Sequence, residues 1–181
     1  MSEQNPIPRV VSSSVVYAGH LFDVDLDILA MPNGTEARRE IIKHPGAVCM
    51  VPVTAKGDLL LVTQYRHAAG KRLLELPAGT LETDEDPGVA AVRELQEEVG
   101  MRPGRVESIG GFFVAPGYTT EYIHLFICDD LRVDPLDGDD DEDIEVHTLS
   151  LEEAIAGIEA GTIVDGKSVI GLLRYARLIH R

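Results

Sequence analysis

Residues 79–101 read GTLETDEDPGVAAVRELQEEVGM. Asp86 followed by Pro87 supplies a helix N-cap and a proline at the first helical position, and Gly100 supplies a stop, so the pattern predicts a helix over 87–99. Positions three and four apart share a helical face, which puts the carboxylates of Glu94, Glu97 and Glu98 into one small volume. Seven acidic residues surround the single Arg93 in this stretch, so the charge is far from balanced. Like charges at such spacings cost an isolated helix roughly 0.2–0.5 kcal/mol per pair. Arg93 can reach Glu97 at i+4, yet one cation does not neutralise the set. Clustered hard oxygen ligands suit Mg²⁺ or Mn²⁺, with water or substrate phosphates completing the coordination. A solvated acidic face on a surface helix is the other reading of the same run.

Outward from this helix, the preceding segments GAVCMVPVT, LLLVTQY and LLELPAG are short and strongly apolar, and read as strands broken by the turn Ala55-Lys56-Gly57-Asp58. Strands follow at about 107–114 and 122–128, separated by the turn-forming VAPGYTTE. Residues 137–145 carry seven acids, and Ser150-Leu151-Glu152-Glu153 then fits a capping box that opens a helix running to about Ala160. A last helix is expected over 167–180, with Val169, Ile170, Leu172, Leu173, Ala176 and Ile179 as its apolar stripe. Interleaved strands and helices argue for a layered α/β domain over 44–181. Ahead of it, residues 1–43 form a separate strand region, an antiparallel meander with little apolar surface of its own. A three-stranded sheet of this kind is marginal alone and is expected to pack on the main domain or on a second chain.

The chain has 181 residues and is 44% hydrophobic, enough to bury one substantial core. Its 16 basic and 31 acidic residues leave a net charge of -15, which argues against nucleic acid and anionic membrane surfaces as partners. A divalent cation would reconcile that charge with a phosphorylated substrate. Cys49 and Cys128 both sit in apolar runs and read as buried strand thiols rather than a disulfide or a zinc site. The N-terminus MSEQNPIPRV lacks the pattern of a signal peptide, and no window approaches the ~20 apolar residues of a membrane span, so a cytoplasmic protein is expected.

At the motif level the stretch resembles the Nudix hydrolase box: Gly79, then Glu85, then Arg93-Glu94-Leu95, Glu97-Glu98 and Gly100-Met101, with every fixed position in register. The resemblance implies a Nudix α/β/α sandwich with a mixed sheet, in which the box forms a loop, helix, loop scaffold, here preceded by the N-terminal antiparallel strand meander. It implies that Glu94 and Glu98 are the principal divalent-metal ligands, helped by Glu97 and the Ala78 carbonyl. It further implies that Arg93 orients a carboxylate and that Gly79 permits close backbone approach beside the metal. Glu85 matches the box as well, and a helix-start residue facing the positive dipole end is an equally good account of it.

Further segments look like the ADP-ribose pyrophosphatase branch of that family: TEARREII, QYRHAAGKRLLELPAG, APGYTTE with Pro116, and DEDIEVHTLSLEEA. That resemblance implies Mg²⁺- or Mn²⁺-dependent hydrolysis of ADP-ribose to AMP and ribose 5-phosphate by a metal-bound water. It also implies a homodimer formed through the N-terminal strands. Arg39 and Arg66 become candidates for the diphosphate or adenosine end and Glu121 for the ribose. Phe22 is either an adenine stack or a core aromatic. The general base is expected in the acidic loop 139–143, where alignment favours Asp140 and side-chain reach favours Glu142. A pyrophosphatase for another nucleotide sugar and a non-catalytic Nudix-like ligand sensor are the alternatives.

Overall fold

The computed structural model describes residues 6–138 and 143–180. In chain order its elements are β1 (Arg9–Ala18), β2 (Asp23–Ala30), β3 (Glu36–Lys43), β4 (Ala47–Pro52), β5 (Leu59–Arg66), a short 3₁₀ turn (His67–Ala69), β6 (Lys71–Glu75) and β7 (Ala78–Thr80). There follow α1 (Pro87–Val99), β8 (Met101–Arg102), β9 (Arg105–Phe113), β10 (Tyr122–Asp129), β11 (Arg132–Val133), β12 (Glu145–Leu149), α2 (Leu151–Glu159) and α3 (Gly166–Ile179). No helix among the described residues is long and apolar enough to cross a membrane.

The chain divides into two compact units, one of Met1–Gly46 with Phe113–Tyr122, the other of Ala47–Phe112 with Ile123–Arg181. The first unit is the expected antiparallel meander in the order β1-β2-β3, laced to residues 118–120. Ile42 N donates to the Tyr118 carbonyl at 2.8 Å and Thr120 N to the Ile42 carbonyl at 2.9 Å. The meander is more apolar on its surface than its sequence suggests: Val10, Val11, Val15, Val16 and Tyr17 of edge strand β1 are all exposed.

The second unit is organised around β4, whose six residues are all buried. A strand covered on both faces reads as a continuous apolar run rather than as an alternation. Successive side chains nevertheless serve opposite faces. Cys49 and Val51 join Leu61, Leu76, Leu125 and Leu172 in one core cluster, whereas Val48 and Met50 join Ala90, Ala91, Leu95 and Phe126 in the other. Thus α1 covers one face of the sheet β7-β4-β10-β9 and α3 belongs to the core on the other, which is the expected α/β/α arrangement. The sheet is mixed, with β4 parallel to β10 and antiparallel to β7. A second sheet, β12-β5-β6, contributes Leu59 and Leu61 to the α3-side cluster.

Both thiols are free and buried, and burial pushes Cys128 up to about 12, with nearby Asp129 adding to it. The capping box of α2 forms as its sequence predicts, with Ser150 Oγ accepting from Glu153 N and Glu153 Oε2 accepting from Ser150 N. The face of α3 differs from the expected stripe. Ser168, Gly171, Leu172 and Tyr175 are buried, while Ile170, Leu173 and Ile179 are exposed. The reason is steric: a Cβ at Gly171 would stand 2.7 Å from Leu76 Cδ1, so the helix packs on its smallest side.

At the start of α1, the Asp86 carboxylate accepts from Gly88 N at 2.8 Å and Val89 N at 3.2 Å. Asp86→Ala is expected to lower stability by about 1 kcal/mol. In a chain of this size that corresponds to a fall of about 2–4 °C in Tm, which thermal denaturation will measure.

Candidate active site

The box residues converge because α1 packs Ala90, Ala91 and Leu95 into the core and turns Glu94 and Glu98 toward β7, with Glu97 joined to Glu94 through Arg93. Arg93 is the hub. Its Nε and Nη2 each donate to a Glu85 carboxylate oxygen at 3.0 Å, and its Nη1 donates to Glu94 Oε1 at 2.8 Å and to Glu97 Oε2 at 2.9 Å. Nη2 also reaches the Thr80 carbonyl at 3.4 Å. Glu85 in turn accepts from Glu82 N, closing the loop through Asp84, which holds a left-handed φ of 60°. The Arg93 hydrogen bonds, working against partial burial, hold the Glu85 carboxyl below its ordinary range, and the Arg93 guanidinium is correspondingly raised. Glu85 therefore serves the loop and Arg93, not only the helix dipole.

Glu98 is 6% exposed, and its Oε2 accepts from Ala78 N at 3.0 Å. Gly79 leaves Glu94 its position: a Cβ there would run into the Glu94 carboxylate and displace it. Three consecutive residues ahead of the box are held by three different elements. Leu76 N donates to Ser168 Oγ of α3 at 2.7 Å, the Pro77 carbonyl accepts from Met50 N of β4 at 2.9 Å, and Ala78 N bonds Glu98 of α1.

Sequence reasoning missed a second charged group in the same unit. Glu75 is buried and accepts from Arg66 Nη2 at 2.8 Å, from Arg66 Nε at 3.1 Å and from Lys167 Nζ. Lys167 also donates to Asp165, the N-cap of α3, at 2.9 Å. The one available signal was Glu75 itself, a carboxylate inside the apolar run LLELPAG, which demands a cationic partner when buried.

Arg39, Glu121 and Phe22 lie in the first unit. Arg39, on β3 opposite Asp27, donates to the Arg38 carbonyl at 2.7 Å. Glu121 ends the loop after β9, where its carbonyl accepts from Val114 N and its N–H donates to Thr119 Oγ1. Phe22 is half-buried and tilts against Tyr17 with ring centroids 6.1 Å apart, so it is neither a core aromatic nor isolated. Asp140 and Glu142 fall outside the described residues.

The donor set fits a hard divalent cation, since Glu94, Glu97 and Glu98 are all carboxylates on one helical face and the missing Gly79 side chain makes room for one of them. Among the described residues no three acidic, His or Cys side chains form a ready-made cage, because Arg93 draws Glu94 and Glu97 to itself. Gly79→Ala is expected to weaken Mn²⁺ affinity, measured by titration calorimetry, by roughly 10- to 100-fold, by displacing Glu94. Its Tm should change little, because the collision falls on a side-chain end.

The chain is 33% identical over 166 residues to an ADP-ribose pyrophosphatase of Bacillus subtilis (strain 168), covering 91% of this chain and 90% of that protein. Over the same shares it is 35% identical to a methanol dehydrogenase activator of Bacillus methanolicus. It is also 35% identical over 158 residues to a GDP-mannose pyrophosphatase of Escherichia coli (strain K12), covering 78% of this chain and 82% of that one. A crystal structure of an ADP compounds hydrolase superposes with a TM-score of 0.88 at 23% identity, covering 99% of this chain and 97% of that one, a likeness of fold. The NUDIX domain model matches residues 43–169, which contain the whole Arg93-centred box, and the chain belongs to that family.

Proposed function

We propose that this Nudix enzyme hydrolyses the diphosphate bond of ADP-ribose, giving AMP and ribose 5-phosphate. The observation that carries the reading is the intact Arg93, Glu94, Glu97, Glu98 and Gly79 constellation in a chain similar over nine-tenths of its length to an ADP-ribose pyrophosphatase. Nudix hydrolases generally use divalent metal ions, and Mg²⁺ is the ion proposed here, with Mn²⁺ as a substitute. Glu94 and Glu98, with Glu97 and the Ala78 carbonyl, would hold it. Bound there, such an ion neutralises the diphosphate and makes water more acidic.

The remaining steps belong to the chain's own groups. Arg93 donates to both Glu94 and Glu97 and so holds the two carboxylates together against their mutual repulsion. Arg66, whose guanidinium is clamped on Glu75, and Arg39 bind the diphosphate or adenosine end; Glu121 holds the ribose and Phe22 offers a face to the base. Asp140 or Glu142 takes the proton of the attacking water. The proposal includes a cytoplasmic enzyme, consistent with two free, buried thiols, and excludes nucleic acid and membrane partners on the strength of the -15 charge. Residues 1–43 are proposed as a dimerisation and substrate-contributing region beside the hydrolase region 44–181. The exposed Val10, Val11, Val15, Val16 and Tyr17 of edge strand β1 support that role.

A second reading, hydrolysis of another nucleotide sugar, is favoured by the likeness to a GDP-mannose pyrophosphatase. A panel of ADP-ribose, GDP-mannose, NADH and dinucleoside polyphosphates, each with Mg²⁺ and Mn²⁺, separates the two. ADP-ribose is expected to give the highest kcat/KM, with AMP as product, and a preference for GDP-mannose would replace the substrate assignment. Glu98→Gln should lose most turnover on the best substrate with its fold intact; near-normal rates in Mg²⁺ would remove Glu98 from the metal site.

Dimerisation is read directly by light scattering. The full chain should elute at twice its 19.7 kDa mass, and a Val15→Glu/Tyr17→Glu variant at the monomer mass. A monomeric wild-type chain would end the dimer proposal.

A further inference from the structure

The Glu75 cluster lies outside the box. It contains two cations, Arg66 and Lys167, and two carboxylates, Glu75 and Asp165, so its formal charges cancel. Its members are unequally exposed. The Glu75 side chain is 1% exposed and that of Lys167 11%, whereas that of Arg66 is 39% exposed. Arg66 is thus the one member that meets solvent substantially.

Its geometry is also one-sided. Nε and Nη2 are committed to Glu75, and Nη1 has no hydrogen-bond partner among the described residues. Gln64 shares Arg66's face of β5 by strand alternation, and its buried Nε2 has no partner among the described residues either. Among the described residues, Arg66 Nη1 and the buried Gln64 Nε2 are therefore two donors on one face of β5 without an acceptor.

What holds the guanidinium in this pose is Glu75, and Lys167 donates to the same Glu75 oxygen, Oε2, that Arg66 Nη2 holds. Lys167 is pinned in turn by Asp165, which caps α3 through Ser168 N at 3.0 Å and accepts from Ser168 Oγ at 2.6 Å. Burial works against the Lys167 charge, but Asp165 and Glu75 more than offset it, so its pKa is raised and the cation persists. Without Lys167, Glu75 keeps its bonds to Arg66 but loses the second donor to Oε2, and the buried group carries an uncompensated negative charge that would repel an anionic ligand.

We propose that Lys167, acting through Glu75, is a positioning residue that orients the Arg66 guanidinium for the diphosphate of the substrate. This rests on the reading above that Arg66 binds the diphosphate or adenosine end, and takes the diphosphate of the two.

The test has one readout that needs no turnover. In the full-length protein the Arg66 Nε–H resonance, assigned by its loss in Arg66→Lys, is expected to exchange slowly with water. Lys167→Met should speed that exchange roughly ten-fold or more, as expected for members of one hydrogen-bonded network. With ADP-ribose and Mg²⁺ the same variant should raise KM by about ten-fold and change kcat by less than about two-fold. Lys167→Gln, which keeps a donor to Glu75, carries both readouts if the Met variant does not fold. The double variant Glu75→Gln/Lys167→Met removes the stranded charge and should recover Tm while KM stays raised, because Arg66 has lost its clamp. Unchanged exchange in the single variant, or a KM that returns to normal together with Tm in the double variant, overturns the proposal. Failure of the wild type to hydrolyse ADP-ribose would reject the substrate reading instead, and the exchange measurement would still decide the role of Lys167.

Discussion

The Arg93 guanidinium, shared among Glu85, Glu94 and Glu97, is the interaction around which the box is built. One planar cation with five donors ties the loop after β7 to the middle of α1 and aligns carboxylates that would otherwise repel one another. It does so without cancelling them. Three carboxylates on one arginine, with Glu98 beside them, leave an excess of negative charge on one face of α1. That excess supports the proposal of an ion at this place, and the bare Gly79 leaves the Glu94 carboxylate its space.

The sandwich makes that arrangement rigid. Because β4 is buried on both faces, α1 and the α3-side core are registered to the same strand, and the residues entering the box inherit that registration. Leu76, Pro77 and Ala78 are held by α3, β4 and α1 in turn. Each of those bonds satisfies a backbone group that burial would otherwise leave unpaired. The Glu75, Arg66 and Lys167 group continues the scheme one residue earlier in the chain, so a single segment, residues 75–79, carries contacts to both charged clusters. A buried ion group of this kind contributes little net stability and is better understood as fixing geometry.

Elements whose signals are local were legible in the sequence. The Asp86-Pro87 start and the Gly100 stop lie within two residues of the helix ends they produce, and Gly100 takes the left-handed φ of 71° that the stop requires. The Ser150 capping box and the three strands of the meander are of the same kind. Strands β8, β11 and β12 were not separately legible. β8 and β11 are two residues each and exist only as partners of one another, and β12 pairs with β5 more than eighty positions earlier in the chain. The same limit applies to α3, whose sequence shows an apolar stripe at helical spacing but not that Leu76 crowds the position of Gly171 and rotates the buried face.

By itself, then, the sequence determined the chemistry of the box: which carboxylates share a helical face, and where that helix starts and stops. These follow from spacings of three to eight residues, over which backbone geometry alone sets what meets what. Only the tertiary structure decided that Glu75 is buried, that Arg66 and Lys167 both answer its charge, and that Ser168 holds the Leu76 amide. Those contacts join β5, β6 and α3, with Glu75 and Lys167 separated by 92 positions in the chain. No local pattern specifies a partner at that distance; burial creates the need for a counter-charge, and the packing of α3 against the sheet determines which side chain supplies it.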